Sequence, residues 1–557
     1  MTRYRRAALA SALLVMVALL SGAPAHAADP PKGTTWTEHY FPSVDGLTML
    51  HADVLRPKGL SDKTETPVIM TVSPYFNHGD SDEGNGGPSN RFYDFLDVSR
   101  IIESGYTYVM VDLPGFGGSG GCNDWGGVRE QGAVKAAVEW AAGQPWSTGR
   151  VGLMGKSYDA WTGLMGIAQQ PKGLAAVVAM EPVYAGYRYL YMNGVRFLNS
   201  VATPAIFQVY DAQPGSTQDD PMYIANSAPL AYCYPLNLGL QQDDDPSSAF
   251  WQERDLLLTT KGAKTPLFLT QGFLETNTKP DGGFDLFNDL AGPNRAWFGQ
   301  FDHVRGWETD EDGHYLTGRD EFAEEMMRFF DHYVKGVPMA QAPVVDDPNV
   351  VVQDALGRYR GEESWPPKDS EMLWNKLFTG AYQDDATNDG AGGSAGEGIW
   401  TFSQPLPYDV WLAGEPVLKI DVDAAPRANL AANVYDVAPN GQATLVSRGA
   451  YLMRGVGEQK VSLELYGQDW PLRAGHRIGV LVSSSNSDWW IHVPTFSDVT
   501  VLSAKVGLPF LTFDRDEFIE GKVTSRLRDH MEFETFKVSK NTVAGSDRSF
   551  DLPPRLK

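Results

Sequence analysis

Between residues 34 and 336, six short apolar runs, each closing on turn residues, alternate with amphipathic segments. The runs are "TPVIMTVSPY", "GYTYVMVDLPG", "RVGLMGKS", "LAAVVAMEPV", "TPLFLTQGF" and "RAWFGQFDH". Among the intervening segments, "VREQGAVKAAVEWAAGQ" and "RDEFAEEMMRFFDHYVKG" place their apolar residues at helical spacing. Apolar strands separated by helices constrain this half of the chain to an α/β fold, a largely parallel sheet covered on both faces. In such sheets the chemistry collects at the carboxyl ends of the strands.

The alternation breaks over residues 184–261, a stretch rich in Tyr, Pro, Asn and Asp that fits a helical cap inserted over the sheet. After Gly336 the pattern changes again. Residues 337–350, "VPMAQAPVVDDPNV", have the composition of a linker. Residues 351–545 contain period-two segments such as "EPVLKIDVDA", "NLAANVYDV" and "HRIGVLVSSS", the patterning of a C-terminal β-sandwich. Within it, "DDATNDGAGGSAGEG" reads as a loop.

The chain opens with basic "MTRYRR", an apolar run and small residues ending in "APAHAA", the layout of a secretory signal cleaved after Ala27. Its removal takes away Arg3, Arg5 and Arg6 and no acid, so a chain of formal charge −24 becomes more acidic still. That balance argues against nucleic acid and anionic membrane as partners. No later stretch approaches the about 20 apolar residues of a membrane span. The expected location is therefore extracellular. Cys122 and Cys233 are the only cysteines, and the sequence leaves them either as a disulfide or as two buried thiols. Neither has partners at metal-ligand spacing, and no metal is expected.

"RVGLMGKSYDAW" runs an apolar strand through Gly155 and Lys156 into Ser157, and a helical segment follows. A strand–turn–helix with a serine at the bend is the context of a nucleophile elbow. Asp159 stands where the strict Gly-x-Ser-x-Gly pattern has its last glycine. On this kind of sheet the partners follow in the order Ser, acid, His, on loops after later strands. Glu275 in "LFLTQGFLETNTKPDG" and His303 in "AWFGQFDHVRGWE" occupy those places.

With these residues the chain resembles the X-prolyl dipeptidyl peptidase and cocaine-esterase group of α/β-hydrolases, the S15 clan. "GQPWSTGRVGLMGKSYDAW" is similar to its nucleophile segment, "TVSPYFNHGD" to its oxyanion segment and "VDLPGFGGSGG" to its glycine-rich stretch. "QGFLETNTKPDG" is similar to its acid loop, "YLYMNGVRF" to the start of its cap and "GHRIGVLVSSSNSDWW" to its jelly-roll domain. The resemblance implies an α/β-hydrolase domain with a helical cap, followed by a jelly-roll sandwich. It implies Ser157 as nucleophile, His303 as general base and Glu275 as the acid where the family has Asp, with Asp281 or Asp285 as the alternative. Asp302 reads as structural. The Tyr75 hydroxyl and the Tyr158 backbone N–H would form the oxyanion hole, and Tyr187 and Tyr189 a substrate pocket. The reaction needs no cofactor.

The group contains peptidases that release X-Pro dipeptides and relatives that cleave esters or acyl amides, so the expected substrate is a small peptide or ester. Gly186 stands where a proline pocket would have tryptophan, and Glu181, Glu308 and Asp310 are acids that could hold a free amine. The reading of another class is a non-catalytic binding protein on the same fold. Oligomeric state is open.

Overall fold

The computed structural model describes residues 30–78, 91, 93–211, 219–227, 233–385 and 398–556. The expected export signal and most of the 384–398 tract lie outside them. The six apolar runs form β3 (Thr66–Ser73), β4 (Thr107–Asp112), β5 (Ser147–Lys156), β6 (Leu174–Met180), β7 (Leu267–Gly272) and β8 (Asn294–Gly299). They lie parallel in the order β4-β3-β5-β6-β7-β8. Every residue of β3, β4 and β7 is buried, because the sheet is covered on both sides. Val68, Met70 and Val72 enter the cluster that contains Val134, Ala137 and Leu164. Ile69 and its counterparts Met110, Met154 and Phe268 point the other way, against Met326, Phe329 and Phe330. The period of two along each strand thus divides one apolar run between two cores. Helix α1 (Val128–Ala142) and helix α2 (Tyr158–Gln169) supply the first, and α3 (Phe322–Phe330) the second.

Two antiparallel strands extend the β4 edge: β1 (Thr34–Pro42) and β2 (Met49–Pro57). At the other edge β9 (Val350–Gln353) pairs parallel with β8, and β10 (Tyr359–Glu362) pairs antiparallel with β9. Residues 350–362 therefore complete the ten-stranded sheet rather than ending a linker and opening the sandwich. All four residues of β9 are buried, which a connecting segment in solvent would not tolerate. The sandwich follows, with sheets of seven and five strands. Its core includes Leu418, Ile420, Val434, Val480 and Leu508. That β-rich unit behind an α/β-hydrolase domain is the fold class the sequence implies.

The described residues between 184 and 261 form a cap of short helices, among them Gly186–Leu190, Pro221–Asn226 and Cys233–Leu240. Cys122 and Cys233 form a disulfide, with Cα atoms 5.6 Å apart, that ties the cap to the loop before α1. Among the described residues no helix is long and apolar enough to cross a membrane.

Candidate active site

The ends of five neighbouring strands, β3, β5, β6, β7 and β8, deliver the site. Ser157 follows β5 directly and has φ 68° and ψ −125°, a conformation that costs a residue with a Cβ of order 1–3 kcal/mol. The fold over-determines it: β5 enters from one side and α2 leaves on the other. The bend is tight enough that a Cβ on Gly155 would stand 2.4 Å from the Cβ of Asp159. Glycine two residues before the serine is thus a packing requirement. Asp159 is buried and accepts hydrogen bonds from Arg91 Nε and Nη2 at 3.2 and 3.0 Å. The Arg91 guanidinium in turn lies 4.0 Å from the centre of the Tyr75 ring. No spacing in the sequence announces this link from elbow to tyrosine.

Tyr75 lies just past the end of β3, its N–H donating to Ser73 Oγ at 3.0 Å. Burial pushes its phenol well above the ordinary tyrosine range, so the hydroxyl stays protonated and can donate. Tyr158 opens α2, and a first-turn N–H has no acceptor inside its own helix. The Tyr158 hydroxyl goes elsewhere, to Glu130 Oε2 at 2.6 Å. Phe207 of the cap touches both rings, at 6.0 Å from Tyr75 and 4.9 Å from Tyr158.

His303 lies beyond β8 and Glu275 beyond β7, and the imidazole Nδ1 is 2.6 Å from Glu275 Oε2. The glutamate folds back on its own loop: Oε1 accepts the N–H groups of Asn277 and Thr278, and Oε2 accepts the Thr278 hydroxyl at 3.1 Å. That fold-back absorbs the additional methylene. Burial alone would raise the Glu275 carboxyl, but His303 and the loop donors outweigh it and hold it at about 2. The alternative acids are turned away: Asp281 pairs with Arg188, and Asp285 begins the helix Gly283–Asp289. Asp302 accepts from the backbone of Thr276 at 3.0 Å and of His303 at 2.9 Å, locking the acid and histidine loops together.

Beneath Glu275 lies the first of the three acids that the sequence offers for holding a free amine. Glu181, just past β6, is fully buried and has φ 48°. Its Oε2 accepts from Gln271 Nε2 at 3.0 Å and from the Gly272 N–H at 3.1 Å. Burial first, and the charge of Glu275 next, push it well above the carboxylate range. It hydrogen-bonds to Glu275, and of the two it is the carboxyl that holds its proton more readily. The other two candidate amine-holding acids are also engaged. Glu308 accepts the Arg305 N–H at 2.9 Å and faces Lys156 at 3.9 Å. Asp310 caps its own turn through the N–H groups of Asp312 and His314.

The two pocket tyrosines separate. Tyr187 is turned into the cap, its hydroxyl donating to Asp244 O at 3.0 Å and accepting the Gly194 N–H at 2.7 Å. Tyr189 reaches the acid loop, donating to Asn277 Oδ1 at 3.1 Å. Its ring stands 5.8 Å from Trp125, which also meets Tyr158 and Phe207. Trp125 is a member of this aromatic wall that the sequence does not single out.

The family described as "X-Pro dipeptidyl-peptidase (S15 family)" matches residues 45–305, and its "C-terminal non-catalytic domain" matches residues 343–522. A Streptomyces avermitilis protein that carries the provisional name Xaa-Pro dipeptidyl-peptidase is 25% identical over 463 residues, covering 71% of this chain and 63% of the relative. The Xaa-Pro dipeptidyl-peptidase of Lacticaseibacillus rhamnosus is 23% identical over 376 residues, and the match spans 55% of this chain but only 45% of that protein. Among solved structures, a CocE/NonD family hydrolase from Staphylococcus aureus aligns with a TM-score of 0.65 at 17% identity, over 85% of this chain and 93% of that one. An α-amino acid ester hydrolase aligns with the same TM-score and identity over 88% and 99%. The two family matches cover the hydrolase and C-terminal parts in the order the fold requires, and the chain belongs to the S15 X-Pro dipeptidyl-peptidase family of hydrolases.

Proposed function

We propose that the protein is an exported serine hydrolase that forms an acyl-enzyme at Ser157, and that its substrates are peptides with an X-Pro amino terminus. The observation that carries the reading is the 2.6 Å contact between His303 Nδ1 and Glu275 Oε2, on loops beside a serine held at positive φ. Glu275 fixes the tautomer with its proton on Nδ1, which leaves Nε2 to take the Ser157 proton as the hydroxyl attacks the scissile carbonyl. His303 then protonates the leaving amine, and water repeats the attack on the acyl-enzyme. Tyr75 and the Tyr158 N–H would receive the oxyanion, a contact of the kind worth about 3 kcal/mol per donor. Export is supported by the leader sequence and by the Cys122–Cys233 disulfide, which belongs to an oxidising compartment.

A second reading, ester or acyl-amide hydrolysis with the same nucleophile, is favoured by Gly186. A Cβ there would stand 3.2 Å from Arg254 Cβ and 3.4 Å from the Trp251 ring, so a large aromatic residue has no room at the position. The deciding measurement is hydrolysis of Ala-Pro-p-nitroanilide beside p-nitrophenyl butyrate, by the wild type and Ser157→Ala. The expected result is cleavage of the anilide, lost by about 1,000-fold or more in the variant. Cleavage of the ester alone, still dependent on Ser157, selects the second reading. Failure of a fluorophosphonate probe to label the wild type, with no turnover of either substrate, leaves the binding-protein reading.

A further inference from the structure

On the flank of the sheet away from β7 and β8, the fold buries a group of charges for which the catalytic scheme has no use. His51 and Asp53 are two residues apart on β2 and so share a face. Glu38 on β1 is directly opposite Asp53 in the antiparallel register. His78 arrives from the loop after β3, and Asp112 from the end of β4. The cap adds Asp219, together with Tyr223, whose ring stacks on His78 at 4.2 Å. His51, Asp53, His78 and Asp112 are each no more than 1% exposed.

Each imidazole is tied by one nitrogen to a carboxylate. His51 Nδ1 is 2.8 Å from Asp112 Oδ2, and His78 Nδ1 is 3.0 Å from Asp219 Oδ1. The other nitrogens converge. His51 Nε2 stands 3.1 Å from Glu38 Oε1 and 3.8 Å from Asp53 Oδ1, and His78 Nε2 is 2.9 Å from Asp53 Oδ2. One donor atom from each of His51, Asp53 and His78 falls within 4.8 Å of the others. His51 Nε2 is buried without an aligned hydrogen bond, since the Glu38 oxygen lies out of line for one.

Charge makes the same point. The fully buried carboxylates of the group are Asp53 and Asp112, and among the described residues no lysine or arginine forms an ion pair with either. With neutral imidazoles their two charges have no cation beside them, and a buried net charge is among the costliest things a fold can hold.

We propose that His51, Asp53 and His78 are ligands of a divalent cation of the zinc type. Two imidazoles and a carboxylate suit Zn²⁺, and Glu38 Oε1, 3.1 Å from His51 Nε2, is the neighbouring oxygen. A tetrahedral ion with bonds of about 2.0–2.1 Å separates its donor atoms by about 3.4 Å, and the His51 and His78 nitrogens stand 3.8 and 2.9 Å from the two oxygens of Asp53, on either side of that value. Asp112 and Asp219 act from outside: each holds a proton on Nδ1 and so presents the Nε2 lone pair to the ion, the carboxylate–histidine–metal arrangement. The ion joins β2 to the loop that carries Tyr75, three residues before His78, and through Asp219 it reaches the cap. It is a structural staple, distinct from the catalytic loops. Its effect on turnover rests on the role proposed for Tyr75, whereas the presence of the ion does not.

The test is metal content. The full chain is stripped with chelator, dialysed against Zn²⁺, dialysed free of excess ion and analysed by mass spectrometry, beside His51→Gln, Asp53→Asn and Ser157→Ala. The expected result is about one zinc per chain in the wild type and Ser157→Ala, with retention falling about tenfold or more in the other two and a higher thermal midpoint for zinc-loaded than for stripped wild type. A wild type that retains no ion overturns the proposal, as does retention that survives both ligand substitutions. Should those variants fail to fold, X-ray absorption of zinc-loaded wild type decides: two imidazoles with oxygen ligands at about 2.0 Å uphold the site, and fewer than two imidazoles refute it.

Discussion

The pairing of Glu181 with Glu275 shows how one residue's neighbour decides its chemistry. Both are buried glutamates at strand ends, yet Glu275 is held at about 2 by His303 and the loop donors, while Glu181 is pushed up by burial and by the charge beside it. Their contributions to stability have opposite pH dependence. Glu275, with its folded value lowered from 4.5, contributes fully above that value, and the contribution fades as pH falls towards 2. Glu181, raised from 4.5, contributes below that value, and its contribution is lost as pH rises towards its folded value. Glu181→Gln keeps a donor towards Glu275 and an acceptor for the Gly272 N–H but no longer titrates. Its urea midpoint is therefore expected to match the wild type near pH 4 and to exceed it increasingly above that. A constant offset at every pH would mean that Glu181 is not a neutral acid in the fold. Order and spacing single out Ser157, Glu275 and His303, and the structure puts the last two in contact. Glu181 was not legible, because a glutamate after a strand looks the same in sequence whether it is solvated or sealed beneath another. The His51, Asp53 and His78 group escaped for a related reason: its members are drawn together by register and loop closure, which no local pattern encodes.

At the level of elements, legibility followed burial. The six parallel strands are enclosed on both faces and so read as unbroken apolar runs, whereas β1, exposed along much of one side, reads as the mixed segment "TTWTEHYFP". Strand β9 was divided between linker and sandwich because four residues are too few to show a period and proline-rich sequence precedes them. The helix Ser525–Phe533 extends the argument to the join between sandwich and hydrolase. Its Arg526 Nε donates to Leu274 O at 3.2 Å and stands 3.4 Å from Asp302, so it supports both the Glu275 and the His303 loops. On the same helix His530 is buried against Leu445 O, with Nε2 at 2.7 Å, and burial pulls its imidazole down to about 4. A histidine buried neutral stabilises the fold fully above its unfolded value of 6.5, and that support drains away as pH falls from 6.5 towards 4. The whole span is worth about 3 kcal/mol. The wild type should accordingly lose urea resistance between pH 7 and pH 5, and His530→Gln should flatten that decline even if it lowers the starting value. An equally steep decline in the variant would assign the acid sensitivity to other groups.

For the whole molecule, the two halves share a buried polar joint rather than a flexible connection. Arg360 on β10 donates through Nη1 and Nη2 to the two oxygens of Asp469 in the sandwich, at 2.9 and 2.7 Å. Trp411 Nε1 donates to the same carboxylate at 2.8 Å and Trp365 Nε1 at 3.3 Å. Nearby, Gln300 Nε2 on the histidine loop donates to Gln468 Oε1 at 3.1 Å. The cap joins from above, with Met192, Val195 and Phe197 built into the sandwich core. Because hydrolase sheet, cap and sandwich share these contacts, loss of the joint should be felt at the catalytic loops. Arg360 is 1% exposed and Asp469 fully buried, so Asp469→Ala leaves Nη1 and Nη2 of the guanidinium and two indole N–H donors without an acceptor, while Arg360 Nε keeps Glu362, at a cost of about 3–5 kcal/mol. Replacing both charges at once, as Arg360→Met with Asp469→Leu, removes the half-paired cation and should recover part of that loss despite the indole donors left behind. Thermal unfolding and p-nitrophenyl ester turnover, measured together on the two variants, check the argument. Stability and turnover should fall together in the single variant and recover together in the double. A single variant that unfolds early yet keeps full turnover at low temperature would show that the sandwich stabilises the chain without shaping the site.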